Sequence, residues 1–166
     1  MFQNQVFIQP AEAVSGDFAS SNPMVYKLSS VSKMVADSSG VTVGHFAVLN
    51  ANGTVTSVPG AAPNSTTRIG FVHRENNAQI VTFLAESSFT IQPGQPVALF
   101  GTGDFWITAD AVTGSPVRGA VVLWDTTTGL VNIGGTATAT LINTGFYLVS
   151  ETATAGATVI ISNLGS

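Results

Sequence analysis

The sequence predicts an all-β fold: a single-domain, jelly-roll-like β-sandwich with an extended N-terminal arm, the alternative being a small β-barrel or β-tulip-like trimer. Three observations predict it. Short apolar runs recur at roughly 8–12-residue intervals, about ten of them, the spacing of a sandwich or barrel. Turn formers separate the runs, drawn from 17 Gly and 7 Pro. The 20 Thr and 16 Ser favour strands and turns over helices, because their side chains compete for backbone hydrogen bonds and suit a pleated surface. At 166 residues the chain has the length of one ordinary domain and can bury a real core.

In chain order, residues 1–25 carry spaced apolar anchors (Phe2, Val6, Phe7, Phe18, Met24) among Gln, Ser and Asn, interrupted by Pro10 and Pro23. No helical period runs through them, so they read as an extended arm, and residues 26–166 as the sandwich domain. Such an arm buries little of itself; it lies over its own domain or docks on a neighbour. Val41 and Val43 point the same way as Phe46 and Val48 if Gly44-His45 is a bulge, and Asn52-Gly53 then turns the chain into a returning strand at 54–58. Residues 60–67 form a loop by composition, with strands at 68–73 and 79–84 on either side of Glu75-Asn76-Asn77. A further strand covers 88–91, Pro93-Gly94-Gln95-Pro96 turns into 97–100, and Gly101-Thr102-Gly103 turns again into 104–108. A hairpin follows, with arms at 117–124 and 130–133 around Asp125-Thr126-Thr127-Thr128-Gly129. The Thr/Ala-rich stretch 134–140 is a loop leading into a strand, and 146–149 pairs with 158–161. Residues 26–36 and 109–112 are the places where a helical turn or two would fit.

Composition removes several function classes. Only 8% of residues are charged, 5 Lys+Arg against 9 Asp+Glu, so a polyanion finds almost nothing to hold and nucleic acid is not expected as a partner. No apolar run approaches the roughly 20 residues that span a bilayer, and the N-terminus has neither a basic segment nor a continuous apolar stretch, so neither membrane nor signal peptide is expected. With no Cys, disulfides and thiolate chemistry are impossible. A weakly charged, Thr-rich exterior suits contact with other protein.

No catalytic constellation emerges. The two histidines, His45 and His73, lack metal-ligand spacing and read as strand residues hydrogen-bonded to backbone, so no metal or other cofactor is expected. No G-x-S-x-G occurs, Gly101-Thr102-Gly103-Asp104 does not continue as G-x-G-x-x-G, and neither Lys27 nor Lys33 follows a glycine loop. The chain is not expected to be an enzyme. Trp106 and Trp124 each end an apolar run and read as core; as stacking platforms they would instead serve a carbohydrate- or receptor-binding module, the rival function. The densest charge is Arg68 with His73-Arg74-Glu75, either a local ion pair or a contact that fixes register between subunits.

Several segments, in order from about residue 10 to about residue 150, carry a resemblance. They are Pro10 with Ala13-Val14-Ser15-Gly16-Asp17-Phe18-Ala19-Ser20-Ser21-Asn22-Pro23, then Gly70-Phe71-Val72-His73-Arg74-Glu75, then Thr82-Phe83-Leu84-Ala85-Glu86-Ser87-Ser88. Gly94-Gln95-Pro96-Val97, Gly103-Asp104-Phe105-Trp106-Ile107 and Thr144-Gly145-Phe146-Tyr147-Leu148-Val149-Ser150 continue the set. Together they resemble the structural cement, or head-decoration, proteins of tailed bacteriophages; the stretch at 150–157 is longer and more Thr/Ala-rich than in that family. The resemblance implies a non-enzymatic protein made in the host bacterial cytoplasm and carried on the outer surface of the virion capsid. Its partners would be the major capsid protein and itself, as a homo-dimer or homo-trimer. The expected capsid or subunit contacts are Phe2, Val6, Phe7, Asp17, Phe18, Arg68, His73, Arg74 and Glu75. A subunit of the tail is a third possibility that sequence does not separate.

Overall fold

A computed structural model describes residues 13–28, 34–63, 68–75, 77–80 and 89–164. Fifteen strands lie among them, and no α-helix. In chain order they are β1 (Val25–Leu28), β2 (Val35–Ala36), β3 (Val41–Thr42), β4 (Phe46–Leu49), β5 (Thr54–Thr56), β6 (Ile69–Val72), β7 (Ala78–Ile80) and β8 (Phe89–Ile91). Then come β9 (Leu99–Thr102), β10 (Asp104–Thr108), β11 (Ala111–Val112), β12 (Val121–Asp125), β13 (Val131–Ile133), β14 (Leu141–Leu148) and β15 (Thr158–Ser162). The two segments held open for a helical turn are extended where described: residues 25–28 pair with β9, Val35–Ala36 pair with β5, and Ala111–Val112 pair with β13.

The strands form three sheets: a central one in the order β1-β9-β6-β4-β5-β2, an outer one in the order β10-β15-β14-β12-β13-β11, and a small one, β3-β8-β7. Pairing is antiparallel except for β2 with β5 and β11 with β13. The result is a single-domain all-β fold of curled, sandwiched sheets.

Around β4, β6 and β9 the central sheet is buried on both faces, and its side chains alternate between two cores. Phe46, Val48, Ile69, Phe71 and Phe100 face the outer sheet, meeting Phe105, Ile107, Trp124, Phe146 and Ile161. Ala47, Val55, Val72 and Leu99 face the other way, toward Met34, Val41, Ile91 and Val97. Strands buried on both sides read as unbroken apolar runs, which is why Ile69–Val72 shows no alternation. Ring contacts tie the sandwich together, with Phe71 and Phe105 centroids 4.3 Å apart and Phe46 and Phe146 at 5.5 Å.

This layering corrects two sequence expectations. Val41 and Val43 do not share a face with Phe46 and Val48: the chain turns at Val43-Gly44-His45, leaves the small sheet and enters the central one, so the first pair fills one core and the second pair the other. Likewise Gly101-Thr102-Gly103 is not a reversing turn. Gly101 and Thr102 continue β9, and Gly103, at φ 146°, bends the same strand from the central sheet into the outer one. An added Cβ there would sit 2.8 Å from the Phe105 ring, so a side chain does not fit the corner.

The hairpins meet expectation. β4 and β5 close around Asn52-Gly53 with Leu49 opposite Val55; β12 and β13 pair Trp124 with Val131; and β14 with β15 sets Leu148 opposite Ile161, despite the unusual stretch at 150–157. Trp124 is fully buried as expected, but Trp106 is only half-buried, because it alternates with the core residues Phe105 and Ile107 and points away from the core.

Candidate functional site

Residues 14–20 run along the free edge of β10 as an added strip. The Gly16 N–H donates to the Trp106 carbonyl (2.8 Å), the Trp106 N–H to that of Asp17 (2.9 Å), and the Ala19 N–H to that of Asp104 (2.8 Å). Ser15 Oγ accepts the Thr108 N–H at 3.1 Å. On its other side the strip touches the end of β6, where the Arg74 N–H donates to the Gly16 carbonyl (3.0 Å). Gly16 has φ 98°, and a Cβ on it would lie 2.5 Å from Val43 Cγ1. Only glycine permits this approach.

Two expected contact residues of the strip thereby meet two from the end of β6. Arg74 Nε donates to Asp17 Oδ1 at 2.7 Å, and the Phe18 ring stacks on His73 with centroids 3.9 Å apart and planes 19° off parallel. Phe18 also meets Phe100 (5.5 Å) and Phe105 (5.6 Å), joining the main core. The Arg74 guanidinium carbon stands 5.5 Å from the Phe89 ring centre. Burial pushes the His73 pKa down; the Asp17 charge opposes this and Arg74 adds to it, leaving a lowered value that favours the neutral ring. Glu75 lies beside the cluster, its carbonyl accepting the Ala78 N–H at 3.0 Å. Arg68 does not join: it is exposed at the opposite end of β6, beside Leu49, Asn50 and Pro63. Phe2, Val6 and Phe7 lie outside the described residues.

Side chains that the sequence did not single out complete the surface. Tyr26 lies over Phe100 at 4.3 Å between ring centres and remains 53% exposed, forming with Phe18, His73 and Pro96 an open aromatic depression. Tyr26 and Phe18 are brought together only by the pairing of β1 with β9, and no spacing in the sequence announces that. The sequence reads His45 as backbone-bonded. Its Nδ1 does face the Val43 carbonyl (3.2 Å), but its Nε2 faces Asp110 Oδ2 (3.0 Å), which also accepts the Val131 N–H (2.7 Å). The described residues hold no group of three His, Asp or Glu side chains placed to bind a metal.

What this arrangement offers is aromatic packing and one charge pair that fasten chain segments to each other, the repertoire of a structural protein. The family of the XM1 gp53 minor capsid protein matches residues 2–163, and the chain belongs to it: it is a phage capsid component. A chain in the solved capsid of the myovirus phage XM1 is similar in fold, with 14% identity and a TM-score of 0.55 over 98% of this chain and 96% of that one. No curated protein sequence matches the chain.

Proposed function

We propose that this capsid component is a cement protein: it binds the outer surface of the expanded head and bridges neighbouring major capsid protein subunits, as a homo-dimer or homo-trimer. The observation that carries the reading is a surface left apolar after both cores are closed. Met24, Val25 and Tyr26 are exposed, as are Val117, at 61%, and Val149. Grouped apolar exposure of this kind on a chain with 8% charge suits protein contact. Binding only the expanded lattice would stabilise it by mass action, and an oligomer engaging several junctions at once gains effective concentration, so each contact can be weak. Asp17, Phe18, His73 and Arg74 would shape the contact surface, and residues 1–12, with Phe2, Val6 and Phe7, would reach across a junction.

Co-sedimentation with expanded, undecorated heads and with unexpanded proheads of the same phage tests this. Saturation at hundreds of copies on expanded heads alone is expected. Copy numbers of three or six would move the protein to the tail, and equal binding to both particles would remove the expansion-dependent mechanism.

A further inference from the structure

A trough of about 550 Å³ crosses the solvent face of the outer sheet. Its floor is Tyr147, Val149 and Ile160; one wall is Ser20, Asn22 and Asp104, and the other is Arg118. The two walls carry opposite charge but are not equivalent. Asp104 Oδ2 already accepts from Ser20 Oγ and Asn22 Nδ2, both at 2.6 Å. Arg118 is pinned differently: its backbone N–H donates to the Glu151 carbonyl (3.1 Å) and its Nε to the Val149 carbonyl (2.8 Å), while its terminal nitrogens make no hydrogen bond to the described residues. It forms no ion pair with a described carboxylate. Val149, which lines the trough beside it, is 37% exposed.

We propose that this trough seats a short extended segment of the major capsid protein carrying one carboxylate between apolar side chains, the carboxylate pairing with Arg118; this rests on the cement reading above. A guanidinium held by its Nε presents its two remaining nitrogens as a fork, which a carboxylate fills with two parallel hydrogen bonds. Val149, Tyr147 and Ile160 take the flanking apolar side chains. From β10 across β15 to β14 is two strand spacings, about 10 Å, a distance that roughly three extended residues cover. A saccharide would leave Val149 and Ile160 unmatched, and a polyanion would meet Asp104 and a net charge of −4.

Because the chain has no Cys, a Val149→Cys variant accepts a photo-crosslinker at one defined point in the trough. On expanded heads, irradiation is expected to join it to a major capsid protein peptide containing Asp or Glu. Arg118→Glu is expected to lower occupancy at least tenfold at low salt and Arg118→Lys much less, with melting of both within a few degrees of wild type because each loses only the one exposed hydrogen bond to the Val149 carbonyl. Crosslinks only to a second copy, or Arg118→Glu at wild-type occupancy, would overturn the trough while leaving the cement reading intact. Absence of wild-type binding to expanded heads would overturn both.

Discussion

His45 faces an acceptor with each ring nitrogen, the Val43 carbonyl on one side and the Asp110 carboxylate on the other, so the doubly protonated ring satisfies both. Burial pushes its pKa down, but the Asp110 hydrogen bond and charge, with the Val43 carbonyl, outweigh that and leave it raised above the ordinary 6.5. Asp110 is held below its ordinary 3.8: burial opposes, while His45 and the Val131 N–H prevail. The pair joins the turn before β4 to the segment after β10, and so the central sheet to the outer one. A raised histidine contributes fully below 6.5 and loses its contribution as pH rises through the folded value; a lowered aspartate contributes above 3.8 and loses it as pH falls through its folded value. The clamp is therefore whole between those two ordinary values. His73 has the opposite sign: its pKa is lowered, so its contribution is present above 6.5 and is lost as pH falls below it. In a melting series from pH 5 to 8, His45→Gln is expected to cost about 1–3 kcal/mol at pH 5 and to lose the alkaline decline. An unchanged decline would show that another group sets it. Asp17→Asn should cost under about 1 kcal/mol, since Arg74 is a third exposed. The sequence marked both histidines and Asp17, but not Asp110, because 65 residues separate it from His45 and only the meeting of two sheets joins them.

The strip at 14–20 shows what an element adds. It has no pairing partner nearby in sequence; it is held by β10, by Arg74 and by the fit of Gly16 against Val43. Gly16→Ala must accept both a positive φ and a clash, and roughly 1–3 kcal/mol of destabilisation is expected by chemical denaturation, with faster amide exchange at Trp106. Phe71→Ala, in the strand buried on both sides, should cost about 3–5 kcal/mol. Legibility followed the same division. Hairpins such as β12 with β13 were readable because a turn and two adjacent runs are local. The three-sheet layering was not: β4 and β6 lack the alternation that marks one buried face, and β9 running into β10 through Gly103 looks in sequence like a turn between two strands. Of the candidate site, Asp17, Phe18, His73 and Arg74 were legible and do converge, whereas Tyr26 and the trough around Arg118 depend on strand pairings remote in sequence.

At the scale of the whole molecule, the protein is a capsid component with two closed cores, five cationic residues and apolar side chains left at its surface. Because residues 14–20 are bonded into the domain, the informative truncation removes residues 1–12. That variant is expected to keep the wild-type melting temperature within a few degrees and to lose at least tenfold in occupancy on expanded heads; full occupancy would show that the anchors Phe2, Val6 and Phe7 do not reach the lattice. The most direct measurement is a cryo-electron microscopy map of the expanded head with this protein bound. A cement protein gives sandwich-shaped density on the outer surface, over junctions between major capsid protein subunits, in hundreds of symmetry-related copies. Density confined to the inner surface or to the tail would contradict it.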